Sequence, residues 1–214
     1  MPSKKQQGLF ITFEGGEGAG KTTLISKLFQ FFESKGYVVV NTREPGGTQI
    51  GESIRSLLLE HKGPLSAYAE LCLFLASRAQ HIREVIGPAL ESGKVVLCDR
   101  FNDSSIAYQG VGRGLGVEKV SQMCEFISQG LKPHLTLYLD LDPEVGLGRA
   151  SKVRKQDRIE AEAFLFHQKI REAFLQIHKA EPTRFYLIDA GANADRVFGE
   201  ALQIILSKIG MNLR

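Results

Sequence analysis

Three cysteines, Cys72, Cys98 and Cys124, are all the thiol chemistry this 214-residue chain contains. Their odd number, wide spacing and apolar settings favour buried free thiols in a reducing compartment over a disulfide framework or a cysteine metal site. No stretch approaches the roughly 20 apolar residues of a membrane helix, and residues 1–7 are polar, so neither a membrane span nor a signal peptide is expected and a cytoplasmic location follows. A charge excess is missing too. With 27 basic residues against 24 acidic ones the net charge is +3, too little for a nucleic-acid coat but compatible with local clusters that grip small anions. Repeats, low-complexity tracts and linkers are also lacking. Residues 1–214 are therefore expected to form a single domain, and 43% hydrophobic residues suffice for one sizeable core.

What the chain does have is alternation. Short β-type runs at 9–13, 37–42, 94–98, 135–139 and 184–188 alternate with helical periodicity over 21–35, 49–59, 66–86, 117–129, 143–149, 160–181 and 194–209. Strands separated by helices imply a parallel sheet, and runs such as Val38-Val39-Val40 and Val95-Val96-Leu97 are apolar on both faces, as buried strands are. The expected fold is a three-layer α/β/α sandwich around a five-stranded parallel sheet. Gly36, Gly93 and Gly130 each fall just past a helix, where a left-handed cap residue is wanted.

The most specific local feature is Gly15-Gly16-Glu17-Gly18-Ala19-Gly20-Lys21-Thr22, followed by Thr23. It fits G-x-x-x-x-G-K-[ST], with a strand before it and a helix after it. That context aims several backbone N–H groups and the positive end of a helix dipole at one small volume, which suits a polyphosphate. The glycines let the backbone close around phosphates, Lys21 reaches their oxygens, and the Thr22 hydroxyl suits Mg²⁺.

Further signals cluster at strand ends. The run 95–98 ends in Asp99-Arg100, and in a parallel sheet such residues face the ligand crevice. A carboxylate there holds Mg²⁺ or its waters, and a guanidinium gives bidentate contacts to phosphoryl oxygens; a plain strand-end salt bridge is the competing reading. Thr42-Arg43-Glu44-Pro45-Gly46-Gly47-Thr48 is a turn-rich loop at another strand end, followed by Arg55, so that Arg43, Arg55 and Arg100 converge on one side of the sheet. Phe74 and Arg78 share a helix face at i, i+4, suited to stacking on a base and bonding its edge, although such a pair is more commonly core and surface. Ser104, Ser105, Tyr108 and Gln109 lie in a polar, glycine-flexible segment that reads as a pocket wall. The basic stretch 149–158 is either a solvated charge run or a lid, depending on the rest of the site.

Taken together, Glu14 to Thr23, the Arg43-Glu44-Pro45-Gly46-Gly47-Thr48 segment, Leu73-Phe74-Leu75-Ala76-Ser77-Arg78, Asp99-Arg100-Phe101 and Ala107-Tyr108-Gln109-Gly110 resemble bacterial thymidylate kinases in order and spacing. The resemblance covers essentially the whole chain. It implies transfer of phosphate from ATP to dTMP with Mg²⁺, in dTTP synthesis, by a homodimer. It also implies roles. Lys21 and the 15–23 loop hold the ATP phosphates, with Thr22 and Asp99 toward the metal. Arg100 bridges the two phosphates, Arg43, Glu44 and Arg55 serve the monophosphate side, and Phe74 stacks on the base while Arg78, Ser104, Ser105 and Gln109 add polar contacts. Tyr108 crowds the sugar 2′ position, and Glu17 sits by the 3′-hydroxyl. Because Gly18 follows Glu17, the loop lacks the arginine of eukaryotic forms, and a catalytic arginine is expected from the lid at about 149–158. Val153 stands where the enterobacterial form carries that arginine, which leaves Arg154 as first choice and Arg149 as second, the latter on adenine.

Two rival classes remain at this level. Another nucleotide or nucleoside kinase on the same scaffold is the nearest, although three arginines favour an acceptor that already carries phosphate. A P-loop switch is the other, and it lacks an Asn-Lys-x-Asp segment to read a base. Neither nucleic acid nor membrane is an expected partner.

Overall fold

The structure, a computed structural model, describes residues 8–152 and 157–209. Among them, five strands form one parallel sheet: β1 (Leu9–Gly15), β2 (Val39–Arg43), β3 (Val95–Asp99), β4 (Leu135–Asp140) and β5 (Phe185–Asp189), in the order β2-β3-β1-β4-β5. The chain moves outward from β1 to β2, returns through β3, then crosses to β4 and β5 on the other side. This reversal at β1 opens the crevice at the strands' carboxyl ends. Phe13 of β1 pairs with Asp99 of β3, so the loop after β1 and the Asp99-Arg100 turn leave the sheet side by side.

Alternation along β1 sorts the two faces. Leu9, Ile11 and Phe13 point toward α1 (Lys21–Ser34) and α9 (Ala194–Ile209), packing with Leu24, Leu28, Phe32, Ala201 and Ile205. Phe10 faces the other way, beside Ile86, Val96 and Phe101, with the Phe10 and Phe101 rings edge to face at 5.1 Å. Thr12 and Glu14 share that second face, where Tyr138, Phe174 of α8 (Phe164–Ala180) and Phe185 complete the layer. Each such aromatic, fully buried, contributes about 1.5–3 kcal/mol. The three-layer sandwich follows from these two cores.

Several local expectations need correcting. Val38-Val39-Val40 is not covered on both faces, because β2 is an edge strand, and Val38 is 63% exposed. Cys72 is exposed, whereas Cys98 and Cys124 are buried; all three are free thiols. The helix expected over 66–86 starts as α3 (Ala67–His81), widens into a π-helical turn at Ile82–Ile86 and continues as α4 (Gly87–Glu91). The helix expected from 160 begins only at Phe164. The largest difference lies in the stretch of Ser104, Ser105 and 107–114, read from sequence as a polar, glycine-flexible segment. It is helical, α5 (Asn102–Ser105) running into a π-helical turn over Ile106–Gly112. Its glycines serve packing: a Cβ on Gly112 would lie 2.7 Å from Ile170 and Phe166 of α8. Tertiary contact overrides the poor helix propensity of Gly and Ser here. The helices α2 (Gln49–Glu60), α6 (Val117–Ser128) and α7 (Pro143–Ser151) complete the set among the described residues.

Candidate active site

The loop after β1 enters α1 without a side-chain cap. Gly20 at the N-cap has φ +88°, no side chain bonds the first turn, and no acidic residue lies in it. The open N–H groups and the dipole are thus left to an external anion. Lys21 is 8% exposed, and its Nζ donates to the carbonyls of Gly15 and Gly16, each at 3.0 Å. Burial, with the Arg100 charge adding, pushes its pKa down; Asp99, Glu17 and Glu14 oppose that shift. The loop is also fixed from outside. A Cβ on Gly18 would lie 2.1 Å from the Gly146 carbonyl of α7, and one on Gly146 would lie 2.3 Å from the Glu17 carbonyl. Two glycines therefore let α7 rest directly on the phosphate loop.

A cavity of about 520 Å³ opens above the strand ends, within the usual range of roughly 300–1,000 Å³ for ligand sites. Glu17, Gly18, Ala19, Gly20, Lys21, Thr22 and Arg149 line one end. Arg43, Glu44, Arg55 and Phe74 line the other, with Asp99, Arg100, Ser104, Ser105, Tyr108 and Gln109 between them. The expected convergence of Arg43, Arg55 and Arg100 is thus found. Gly15 and Gly16 stand just behind, holding Lys21; Thr23 is exposed on α1 and does not line the cavity. Arg154 lies outside the described residues. Arg149 donates to the Ala190 carbonyl after β5 at 3.2 Å, which holds it at the loop end of the cavity.

Arg100 occupies the middle. It takes φ +73°, rare for a residue with a Cβ and a mark of a backbone held by its surroundings. Its own N–H bonds the Phe13 carbonyl, and the next N–H, of Phe101, bonds Glu14 Oε1 at 2.9 Å. The guanidinium donates to Glu17 Oε1 at 2.7 Å and to Ser104 Oγ at 3.2 Å, and lies 5.0 Å from the centre of the Tyr108 ring. Burial works against its charge, but Tyr108, Glu17, Asp99 and Glu14 outweigh it and hold the pKa well above its ordinary value. No salt bridge joins Asp99 to Arg100, so the plain strand-end ion pair is not what these residues form. Asp99 Oδ1 is instead buried without a hydrogen-bond partner among the described residues.

Arg78 is placed differently from the sequence expectation. It does not line the cavity with Phe74; it is 1% exposed behind the wall. Its Nε donates to Glu44 Oε2 at 2.6 Å, Nη1 to Ser105 Oγ at 3.0 Å and Nη2 to the Phe101 carbonyl at 3.0 Å. The reason is charge: Glu44 is buried and needs a cation, with His81 Nδ1 on its other oxygen at 3.0 Å. Arg78 thereby ties the Arg43-to-Thr48 loop to the Phe101 turn. Arg43 is held by Glu52, which binds it with both oxygens at 3.1 and 3.0 Å and also accepts the Gly47 N–H. Arg55 donates to the Pro45 carbonyl at 2.9 Å and has no carboxylate within ion-pair distance among the described residues. Burial and the Arg43 charge lower its pKa, and an anion between the two arginines would relieve both effects.

Sequence reasoning missed several participants. Glu14, 0% exposed in the floor, accepts from Phe101 N and Ser104 Oγ; burial, with the Asp103 charge adding, pushes its carboxyl up to about 7. Glu160 joins the lining with Asp157 and Ile159, and burial, with the Glu17 and Asp157 charges adding, raises it to about 7 as well. A signal was present in Asp157-Arg158-Ile159-Glu160, where Asp157 Oδ1 accepts the Ile159 and Glu160 N–H groups and Glu160 Oε2 accepts the Asp157 N–H, a reciprocal turn cap.

An uncapped phosphate loop and three converging arginines around one cavity define a P-loop phosphoryl-transfer enzyme. The family profile described as thymidylate kinase matches residues 13–200. The chain is 51% identical over 214 aligned residues to a thymidylate kinase of Protochlamydia amoebophila (96% of this chain, 95% of that one). It is 47% identical to one of Geobacillus thermodenitrificans (94% and 91%). Among solved structures, the thymidylate kinase of Ehrlichia chaffeensis superposes with a TM-score of 0.76 at 34% identity, covering 93% of this chain and 99% of that one. The chain belongs to the thymidylate kinase family.

Proposed function

We propose that this chain transfers the γ-phosphoryl group of ATP to dTMP, giving ADP and dTDP for dTTP synthesis. One observation carries the reading: a single cavity joins the phosphate loop to the arginine set Arg43, Arg55 and Arg100, which supports donor and acceptor phosphates meeting at Arg100. Little covalent work is required of the protein. It must align two anions and neutralise charge spreading over the transferring group. Lys21 and the loop amides of 15–23 hold the donor phosphates, Arg149 lies by the adenine, and Arg55 and Arg43 hold the acceptor phosphate. Arg100, clamped by Glu17 and Ser104, spans both. Arg154, outside the described residues, is the remaining candidate for a transition-state cation.

The residues present fit Mg²⁺, a hard cation that takes few protein oxygens and keeps waters and phosphates as its other ligands. The Thr22 hydroxyl and the partnerless Asp99 Oδ1 would hold it, directly or through water. Bound there, it would supply positive charge to the phosphate oxygens as negative charge builds on them. On the acceptor side Phe74 offers a ring face for the base, and Gln109 and Ser105 offer polar edges. Arg78 acts behind them, positioning Ser105 and Glu44. Tyr108, 6% exposed and in the cavity lining, is assigned to the sugar 2′ side, where its bulk would disfavour a ribose.

Exposed apolar side chains on α2, α3 and α6, namely Leu57, Tyr68, Met123 and the 81% exposed Phe126, support a homodimer through this face. No helix among the described residues is long and apolar enough to cross a membrane. The free thiols suit the cytoplasm. The functional reading is tested by ADP release across deoxy- and ribonucleoside monophosphates. Selective turnover of dTMP is expected; preference for a purine monophosphate would move the chain to another kinase on the same scaffold.

A further inference from the structure

Gln109 lines the cavity at 1% exposure, so the amide at its tip presents a fixed polarity to whatever base enters. Its Nε2 donates to Glu70 Oε1 at 2.9 Å. Glu70, on α3, is itself 1% exposed and is held on both oxygens. Arg113 Nε meets Oε1 at 3.0 Å and Nη2 meets Oε2 at 3.1 Å, while Arg158 Nη2 meets Oε2 at 2.6 Å. Arg113 is in turn fixed by Glu162 at 2.6 Å and by the Phe166 ring at 4.7 Å. Burial works against the Glu70 charge, but the hydrogen bonds from Arg113, Gln109 and Arg158 outweigh it and hold the carboxyl below its ordinary value. An ionised carboxylate only accepts. The Gln109 nitrogen must therefore face Glu70, which leaves its oxygen for the cavity that Gln109 lines.

We propose that Glu70 is a specificity-determining positioning residue: by holding Gln109 Nε2 it keeps an acceptor oxygen toward the base, selecting pyrimidines whose ring nitrogen carries a hydrogen. Thymine and uracil have that N–H. Cytosine presents a lone pair instead, which would face the Gln109 oxygen with no proton between them. The proposal rests on the cavity being the dTMP site, and it locates the discrimination in a residue that touches no substrate. The two arginines matter because they fix the carboxylate: a free Glu70 could rotate and let the amide turn over.

The test is a double-mutant cycle on the full chain, with kcat and KM measured for dTMP and dCMP at saturating ATP. Glu70→Gln can donate to the Gln109 oxygen and so lets that amide reverse. Expected is a tenfold or greater fall in the ratio of kcat/KM for dTMP over dCMP, mostly through KM for dTMP, with KM for ATP unchanged. In a Gln109→Ala background the same substitution should leave the ratio where Gln109→Ala put it. An unchanged ratio in Glu70→Gln, or an equal fall with and without Gln109, would overturn the proposal, since a merely structural Glu70 lowers both substrates alike. Should Glu70→Gln fail to fold, Glu70→Asp keeps the charge but falls one methylene short of Gln109, and it is read by the same ratio and the same two outcomes. Wild-type enzyme that leaves dTMP untouched would sink the functional reading itself, a result seen before any variant is made.

Discussion

Arg78 shows how one side chain links stability to recognition. Buried with four partners, it neutralises Glu44 and orients Ser105 toward the cavity. Arg78→Ala would leave Glu44 with His81 alone, and breaking a buried pair in this way costs about 3–5 kcal/mol. For a domain of this size that is a fall in Tm of about 10 °C, and in the fraction still folded dTMP binding should weaken while ATP binding stays. Unchanged Tm in thermal melts would show that the buried pair is not structural. Lys21 acts at the other end of the cavity, where it supplies positive charge to the donor phosphates. Lys21→Ala should lower the dTMP kinase rate by about 10³-fold or more, the scale seen when an electrostatic stabiliser is lost; a near-normal kcat would remove Lys21 from the chemistry.

Between elements, the contact that matters is the glycine pair joining the phosphate loop to α7. Adding a methyl at Gly146 puts a carbon 2.3 Å from the Glu17 carbonyl, so the helix must move off the loop. At the usual overpacking cost of about 1–3 kcal/mol, Gly146→Ala should weaken ATP about tenfold by titration calorimetry and leave dTMP affinity near wild type. Equal loss of both would place the damage elsewhere. The same contact explains why Gly18 follows Glu17: any side chain there collides with α7. What could be read in the sequence follows from these distances. The loop 15–23 and the 42–48 segment are each contiguous and their chemistry is local, so part of each, residues 17–22 and 43–45, lines the cavity, while Gly15, Gly16 and Thr23 do not. The helix at 102–112 could not be read, because its glycines and serines favour a loop until α8 packs against them. Nor could the Glu70 cluster, whose members are brought from 70, 109, 113 and 158 by the fold alone. Arg78 was legible as a charged neighbour of Phe74, but not as buried, since its partner Glu44 lies on another strand end.

For the molecule as a whole, the floor of the site gives stability a pH dependence. Glu14 titrates at about 7 when folded against an ordinary value of about 4.5, because burial penalises its charge. A carboxyl raised in the folded state holds its proton there after the unfolded chain has released it. Its contribution is therefore fully present at low pH and is lost as pH rises from about 4.5 to about 7. Glu14→Gln, neutral throughout, should show a shallower profile, with wild type losing on the order of 2 kcal/mol relative to it between pH 5 and 8. Parallel stability curves from urea melts would mean that Glu14 is charged in the folded state across this range. The exposed apolar face on α2, α3 and α6 predicts a dimeric mass in solution, checked by light scattering, and Phe126→Glu should shift it toward monomer. The central claim is that both phosphates meet in one cavity and that the γ-phosphoryl group passes directly between them. It is tested most directly by following γ-labelled ATP in the presence of dTMP. The label should appear as the β-phosphate of dTDP in amounts matching the ADP formed; label released as inorganic phosphate, at a rate indifferent to dTMP, would contradict it.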